Sequence, residues 1–189
     1  MRIPLLDRIK KFQEHVLEVG LAQAVLALPA PRMLSLAALT SEGGANINIY
    51  SSTVTEVEIE AVSRDLFASG HYSLAVQEAY KAVEKYVQQK SAAMGLSGTQ
   101  LMQHVFSTTS PTLYWKERKT QSEQDEQKGY LQLCAGAMLG IRNPVTHEFD
   151  WIEDSVMSLE LILFAQHLLR KAKIAQVDVS TRTLIRSAS

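Results

Sequence analysis

Between Tyr72 and Ala93, the residues Val76, Ala79, Tyr80, Val83, Tyr86 and Val87 recur at the 3.6-residue period of an α-helix, and Gly95 closes the run. A strand would send successive side chains to opposite faces, so this period predicts a long helix with one buried side. Further segments repeat the pattern. Ile59, Val62 and Leu66 follow a capping-box pattern, Thr55 with Glu58, flanked by the staple pair Val54 and Ile59. Ser97 and Gln100 repeat the box, and Leu96 with Leu101 repeat the staple, ahead of a short helix ending near Phe106. Tyr130, Cys134, Ala137, Met138 and Ile141 mark a helix over 122–142, and Ile152, Val156, Leu159 and Leu163 mark one over 150–173. The expected fold class is all-α, an antiparallel helical bundle spanning 55–175.

The flanks read differently. Residues 5–27 carry Leu5, Ile9, Phe12, Val16 and Leu17 at helical spacing, which suits a helix docked on the main domain or an oligomerisation or partner-binding helix. Pro29, Pro31, Gly43 and Gly44 then interrupt the chain, and Ala45 to Tyr50 alternates like a short edge strand or an extended linker. Residues 1–54 are therefore read as a helical and extended appendage, and 176–189 as a C-terminal tail. Gly129, Gly136 and Gly140 each cost roughly 1 kcal/mol in a helix, which predicts close approach of another helix there.

Composition narrows the function. With 46% hydrophobic and 21% charged residues the chain builds a core rather than staying disordered. A net charge of -1 supplies no global attraction to nucleic acid, so any such contact needs a local patch. The lone Cys134 excludes an internal disulfide and a cysteine zinc site, and its place in an apolar stripe makes it a buried small hydrophobe. No signal-peptide block opens the sequence, and the most apolar run, Leu159 to Leu169, is broken by Glu160, Gln166 and His167. There is no phosphate-binding glycine loop and no metal-ligand spacing. The expectation is a cytoplasmic protein with no membrane span, no metal and no cofactor. His167 is read as a partnered core or interface histidine.

Chemistry concentrates at Ile141-Arg142-Asn143-Pro144-Val145-Thr146-His147, between two helical patterns. Pro144 lacks an N–H and disfavours helical geometry at Asn143, which predicts a helix end near Arg142 and a loop that folds His147 back towards it. Spacing alone is a weak signal. Chance predicts about 0.24 such Arg–His pairs for the arginines and five histidines of 189 residues. The competing reading has Arg142 complementing the helix C-terminal dipole and His147 solvated. A second candidate is the loop with Tyr114, Trp115, Lys116, Arg118 and Lys119, where aromatics beside cations suit stacking on single-stranded RNA. The acidic Glu123, Asp125 and Glu126 that follow favour the alternative, in which Tyr114 and Trp115 pin the loop to the core.

Arg142-Asn143 followed by His147, between the last two helices of a small bundle, resembles the HEPN superfamily and its Arg-x(4–6)-His motif. The stretches Gly70 to Lys81 and Ser122 to Gly129, with Gly136 and Arg142-Asn143-Pro144, are similar to the Ymh-type family of prokaryotic and phage proteins in that group. The resemblance covers 57–175. It implies a homodimer that brings two Arg–His motifs into one cleft and cleaves RNA without metal. Many relatives act as toxins or in phage defence, so an antitoxin or defence-system partner is implied too. In that role His147 exchanges a proton with the ribose 2′-OH or the leaving oxygen, as imidazoles do in acid–base catalysis. Arg142 grips the phosphate and stabilises transition-state charge. Asn143 orients either one, and Glu78 and Lys81 line the same cleft. The acidic Glu148, Asp150, Glu153 and Asp154 are awkward next to RNA and favour a second reading, a non-catalytic nucleotide- or partner-binding module. A third is a purely structural oligomer.

Overall fold

The computed structural model describes residues 42–148, 151, 152 and 154–178, all within the larger of the two units into which the chain divides, Glu42–Ser189. The expected helix over 5–27 lies outside the described residues. The elements are α1 (Glu42–Thr53), α2 (Val57–Ala68), α3 (Tyr72–Ser91), α4 (Gly98–Val105), α5 (Gln121–Ala137), a π-helical turn (Met138–Arg142), α6 (Asn143–His147) and α7 (Ser155–Ile174). The two-residue strands β1 (Leu113–Tyr114) and β2 (Gln176–Val177) pair antiparallel, so the start of the expected tail is tied down at the loop before α5. The chain is an all-α helical bundle. No helix among the described residues is long and apolar enough to cross a membrane.

The stripe of α3 makes it the central helix, packed against α2, α7 and α6. Val76, Ala79, Tyr80, Val83 and Val87 are all buried, as are Ile162, Leu168 and Leu169 on α7 and Met138 on the π turn. The long helices alternate in direction along the chain, so α3 and α7 run parallel where they meet. Tyr72 is bonded by Ser158 at their starts, and Lys90 reaches the carbonyls of Ala172 and Lys173 at their ends.

Four expectations are corrected. Ala45 to Tyr50 is neither strand nor linker but part of α1, because Tyr50 is fully buried, with its hydroxyl 2.7 Å from Ser63 Oγ and its ring 4.9 Å from Phe67. The last long helix starts at Ser155 rather than near Asp150. Asp154 is its N-cap, accepting from the N–H groups of Val156 and Met157, while Ser73 Oγ accepts the Ile152 N–H at 2.7 Å and holds that residue outside the helix. The boxes expected at Thr55 and Ser97 do not form, since distant side chains take the orphan N–H groups. Gln166 Oε1 accepts from Thr55 and Glu56 N–H at 2.7 and 3.0 Å, and Glu84 Oε1 accepts from Gly98 N–H at 2.8 Å. The box that does form is Thr120 with Glu123, at the start of α5. Finally, a Cβ added at Gly129, Gly136 or Gly140 would meet nothing within 4 Å, so no helix of this unit's described residues approaches them.

Candidate functional site

The Pro144 break is absent. Arg142 and Asn143 both keep right-handed helical dihedrals, and α6 follows the π turn directly. A proline ring clashes with the carbonyl four residues back and removes one ladder bond. The wide turn absorbs both effects. The Asn143 N–H bonds five residues back to the Met138 carbonyl, and regular geometry resumes with the Glu148 N–H on the Pro144 carbonyl at 2.9 Å. His147 is therefore not a loop residue. Five residues of helical path separate it from Arg142, roughly 140° around the axis at 3.6 residues per turn.

That rotation sends the two side chains to different places. Arg142 faces α3. Its Nη2 lies 3.4 Å from Glu84 Oε2, its side chain is 24% exposed against 8% for Glu84, and its Nη1 donates to Asn143 Oδ1 at 3.3 Å. Its Nε is buried with no hydrogen-bond partner among the described residues. His147 is exposed and lines an open cleft of about 600 Å³ with Thr146 of α6 and with His71, Ser73, Leu74 and Gln77 at the head of α3. Gln77 Nε2 donates to Thr146 Oγ1 at 3.0 Å, and that hydroxyl donates to the Arg142 carbonyl at 2.7 Å, which ties the cleft floor to the backbone of the arginine.

Glu84 is the residue that sequence reasoning missed. It lies between the stripe positions of α3, yet it is 6% exposed and holds both Arg142 and the start of α4. One signal was available: Glu84 follows Gln77 by seven residues, so both lie on one side of α3. Glu78 and Lys81 lie elsewhere. They pair with each other at 2.7 Å and line a separate groove with Glu58, Val62 and Tyr86.

The aromatic and basic loop is built into the fold. Trp115 stacks on Phe106 at 5.1 Å, donates its Nε1 hydrogen to the Lys171 carbonyl at 2.7 Å, and carries the Lys171 ammonium over its ring. Tyr114 belongs to β1, Lys116 lies 3.5 Å from Glu126, and Arg118, with a left-handed φ of 58°, donates to the Thr108 carbonyl. None of the four lines the His147 cleft. Cys134 is buried, and burial pushes its thiol up to about 12, which leaves no thiolate at neutral pH. His167 is exposed rather than in the core, with its Nε2 2.9 Å from the Tyr130 hydroxyl. Among the described residues no group of three or more His, Cys, Asp or Glu is arranged to hold a metal ion.

The family model described as a protein of unknown function (Hypoth_ymh) matches residues 54–172, well over half of the chain. The chain belongs to that family. The Hypoth_ymh match runs from just before α2 almost to the end of α7, so it contains the cleft, Glu84, Arg142 and His147. No curated protein and no solved structure matches the chain.

Proposed function

We propose that this Hypoth_ymh protein is a HEPN-type endoribonuclease. In this reading it cleaves RNA in the cytoplasm without metal and serves as a toxin or phage-defence effector. The observation that carries the reading is His147 itself: an exposed imidazole in an open cleft, one helical turn and a half beyond a cation that is held in a fixed orientation. An imidazole near neutrality takes the proton of a ribose 2′-OH, the 2′-oxygen attacks phosphorus, and the 5′-oxygen leaves. The products are a 2′,3′-cyclic phosphate and a 5′-hydroxyl. Arg142 would add charge stabilisation at the phosphate. Because Arg142 and His147 diverge around one helix, a homodimer that brings two motifs together suits the chemistry better than one copy. The exposed Leu133, Gly136, Leu139 and Gly140, on the run leading into Arg142, give such a pairing an apolar face.

One observation favours a second reading, a nucleotide- or partner-binding module without turnover. The Arg142 guanidinium already has a buried carboxylate partner, and that carboxylate also caps α4. Labelled RNA incubated with pure protein in excess chelator separates the two. Cleavage by wild type, lost in His147→Ala and in Arg142→Ala, with cyclic phosphate ends, upholds the ribonuclease. Cleavage unchanged in both variants refutes these roles. Nucleotide binding by calorimetry without turnover upholds the module.

A further inference from the structure

The cleft holds a second imidazole. His71 is the residue before α3, and its backbone is fixed from both sides: its N–H bonds to the Leu66 carbonyl and its carbonyl accepts from Ala75 N–H, each at 2.9 Å. The preceding Gly70, at φ 80°, makes the turn into His71, a left-handed conformation that a residue without a Cβ takes at no cost. His71 and His147 line the same cleft, one from α3 and one from α6. Both are exposed, and neither ring has a hydrogen-bond partner among the described residues, whereas His167 has the Tyr130 hydroxyl. The Ser73 hydroxyl and the Gln77 amide of the floor are already bonded. Ser73 Oγ bonds both the N–H and the carbonyl of Ile152, and Gln77 donates to Thr146. The imidazoles are what the cleft has left to offer a ligand, with Glu148 and Tyr72 as the other titratable side chains lining it.

We propose that His71 and His147 form a two-histidine site for a phosphodiester within a single protomer, with His71 as the general acid. The assignment deepens the ribonuclease reading and rests on it for the chemical step. His147 takes the 2′-OH proton as the 2′-oxygen bonds to phosphorus. The P–O5′ bond breaks, and the His71 imidazolium gives its proton to the departing 5′-oxygen. One proton is taken and one returned, and no oxidant or metal enters. The second copy of the motif is then not needed for proton transfer.

The test uses the full chain and two probes. The first is a 2′-deoxy-oligonucleotide, which carries phosphodiesters but no nucleophile, titrated while the imidazole Cε1–Hε1 signals are followed by NMR. The His71 and His147 signals are expected to shift together with one midpoint, while that of His167 stays still. Movement of His147 without His71, or of neither, overturns the site. The second probe is the cleavable ribo-oligonucleotide, compared in wild type and His71→Asn, which keeps a side chain suited to an N-cap. His71→Asn is expected to lower cleavage by about 10²–10⁴-fold and to remove the alkaline limb of the pH–rate profile. A ribonucleoside phosphodiester with a p-nitrophenolate leaving group needs no acid, and on it the loss should vanish. If wild type cleaves and His71→Asn matches it at every pH, the inference falls and the ribonuclease stands. If wild type does not cleave while both rings respond to the deoxy probe, the ribonuclease falls and the two-histidine binding site stands.

Discussion

Glu84 offers the sharpest test of how the bundle holds its arginine. Its carboxylate makes an ion pair and a hydrogen bond from a nearly dry position: one oxygen lies 3.4 Å from Arg142 Nη2, and the other accepts from Gly98 N–H at 2.8 Å. Glu84→Ala removes both. Breaking a buried ion pair costs about 3–5 kcal/mol, and the partly exposed Arg142 keeps some hydration, so the low end applies. Uncapping α4 adds about 1 kcal/mol, which makes a total of about 4 kcal/mol. Glu84→Gln keeps an acceptor for Gly98 and loses the charge alone, at about 2 kcal/mol. Urea unfolding followed by far-UV circular dichroism measures the losses for Glu84→Ala, Glu84→Gln, Arg142→Met and the double variant of the last two. The double variant should cost less than the sum of the singles by about 1–2 kcal/mol, because a buried charge without its partner is the largest part of each single loss. Additivity within about 0.3 kcal/mol would show that the two groups do not interact, and the account of how Arg142 is oriented would fail.

Three more outcomes follow from the same geometry. Gln166→Ala strips the acceptor from two N–H groups at the start of α2 and the donor from the Thr53 carbonyl, so it should cost about 2–4 kcal/mol in urea, whereas Glu58→Gln should cost under about 1; the reverse order would restore the local capping box. Trp115→Ala should cost about 3–5 kcal/mol and leave RNA affinity per folded molecule unchanged, and a loss of affinity at full stability would return Trp115 to the RNA-contact role. Hydrogen bonds from Lys173 and then Arg170 hold Glu56 below the usual carboxylate range, as Lys173 does for Glu58 and Lys171 for Glu126. Each binds a proton more readily unfolded than folded, so their stabilisation is whole above the ordinary value of 4.5 and fades as pH falls through the folded values. The urea midpoint should hold from pH 7 to about 5.5 and drop below about 4.5; a midpoint that rises on acidification to pH 3 contradicts this.

What was legible in the sequence was whatever short-range periodicity carries. The stripe of α3 is buried as its spacing requires, and the burial of Cys134 followed from its neighbours. Long-range substitutes for local signals were not legible. Thr55 with Glu58 looked like a box, but a glutamine more than a hundred residues away does the capping. The burial of Glu84 was not legible because its partners, Arg142 and Gly98, belong to other elements. Pro144 looked like a stop because a regular helix has no slack for its ring, and the π turn supplies that slack. Within the candidate site, Arg142 and His147 were found by spacing, but their divergence depends on that turn. Glu78 and Lys81 share a helix with the cleft residues and not its face.

The parallel run of α3 beside α7 aligns two twenty-residue helices head to head. The macrodipoles of these two add, while α2 and α5 run the other way and offset part of the sum, so the pair itself has a positive pole where both helices begin and a negative pole where both end. At the negative pole the Lys90 ammonium sits on the Ala172 and Lys173 carbonyls, which supplies the cation that such a pole calls for. At the positive pole Asp154 neutralises α7, while α3 begins at an imidazole with no carboxylate cap of its own. The end where both helices begin opens on the cleft, where the Glu148 carboxylate stands beside the start of α3 and offsets part of that field.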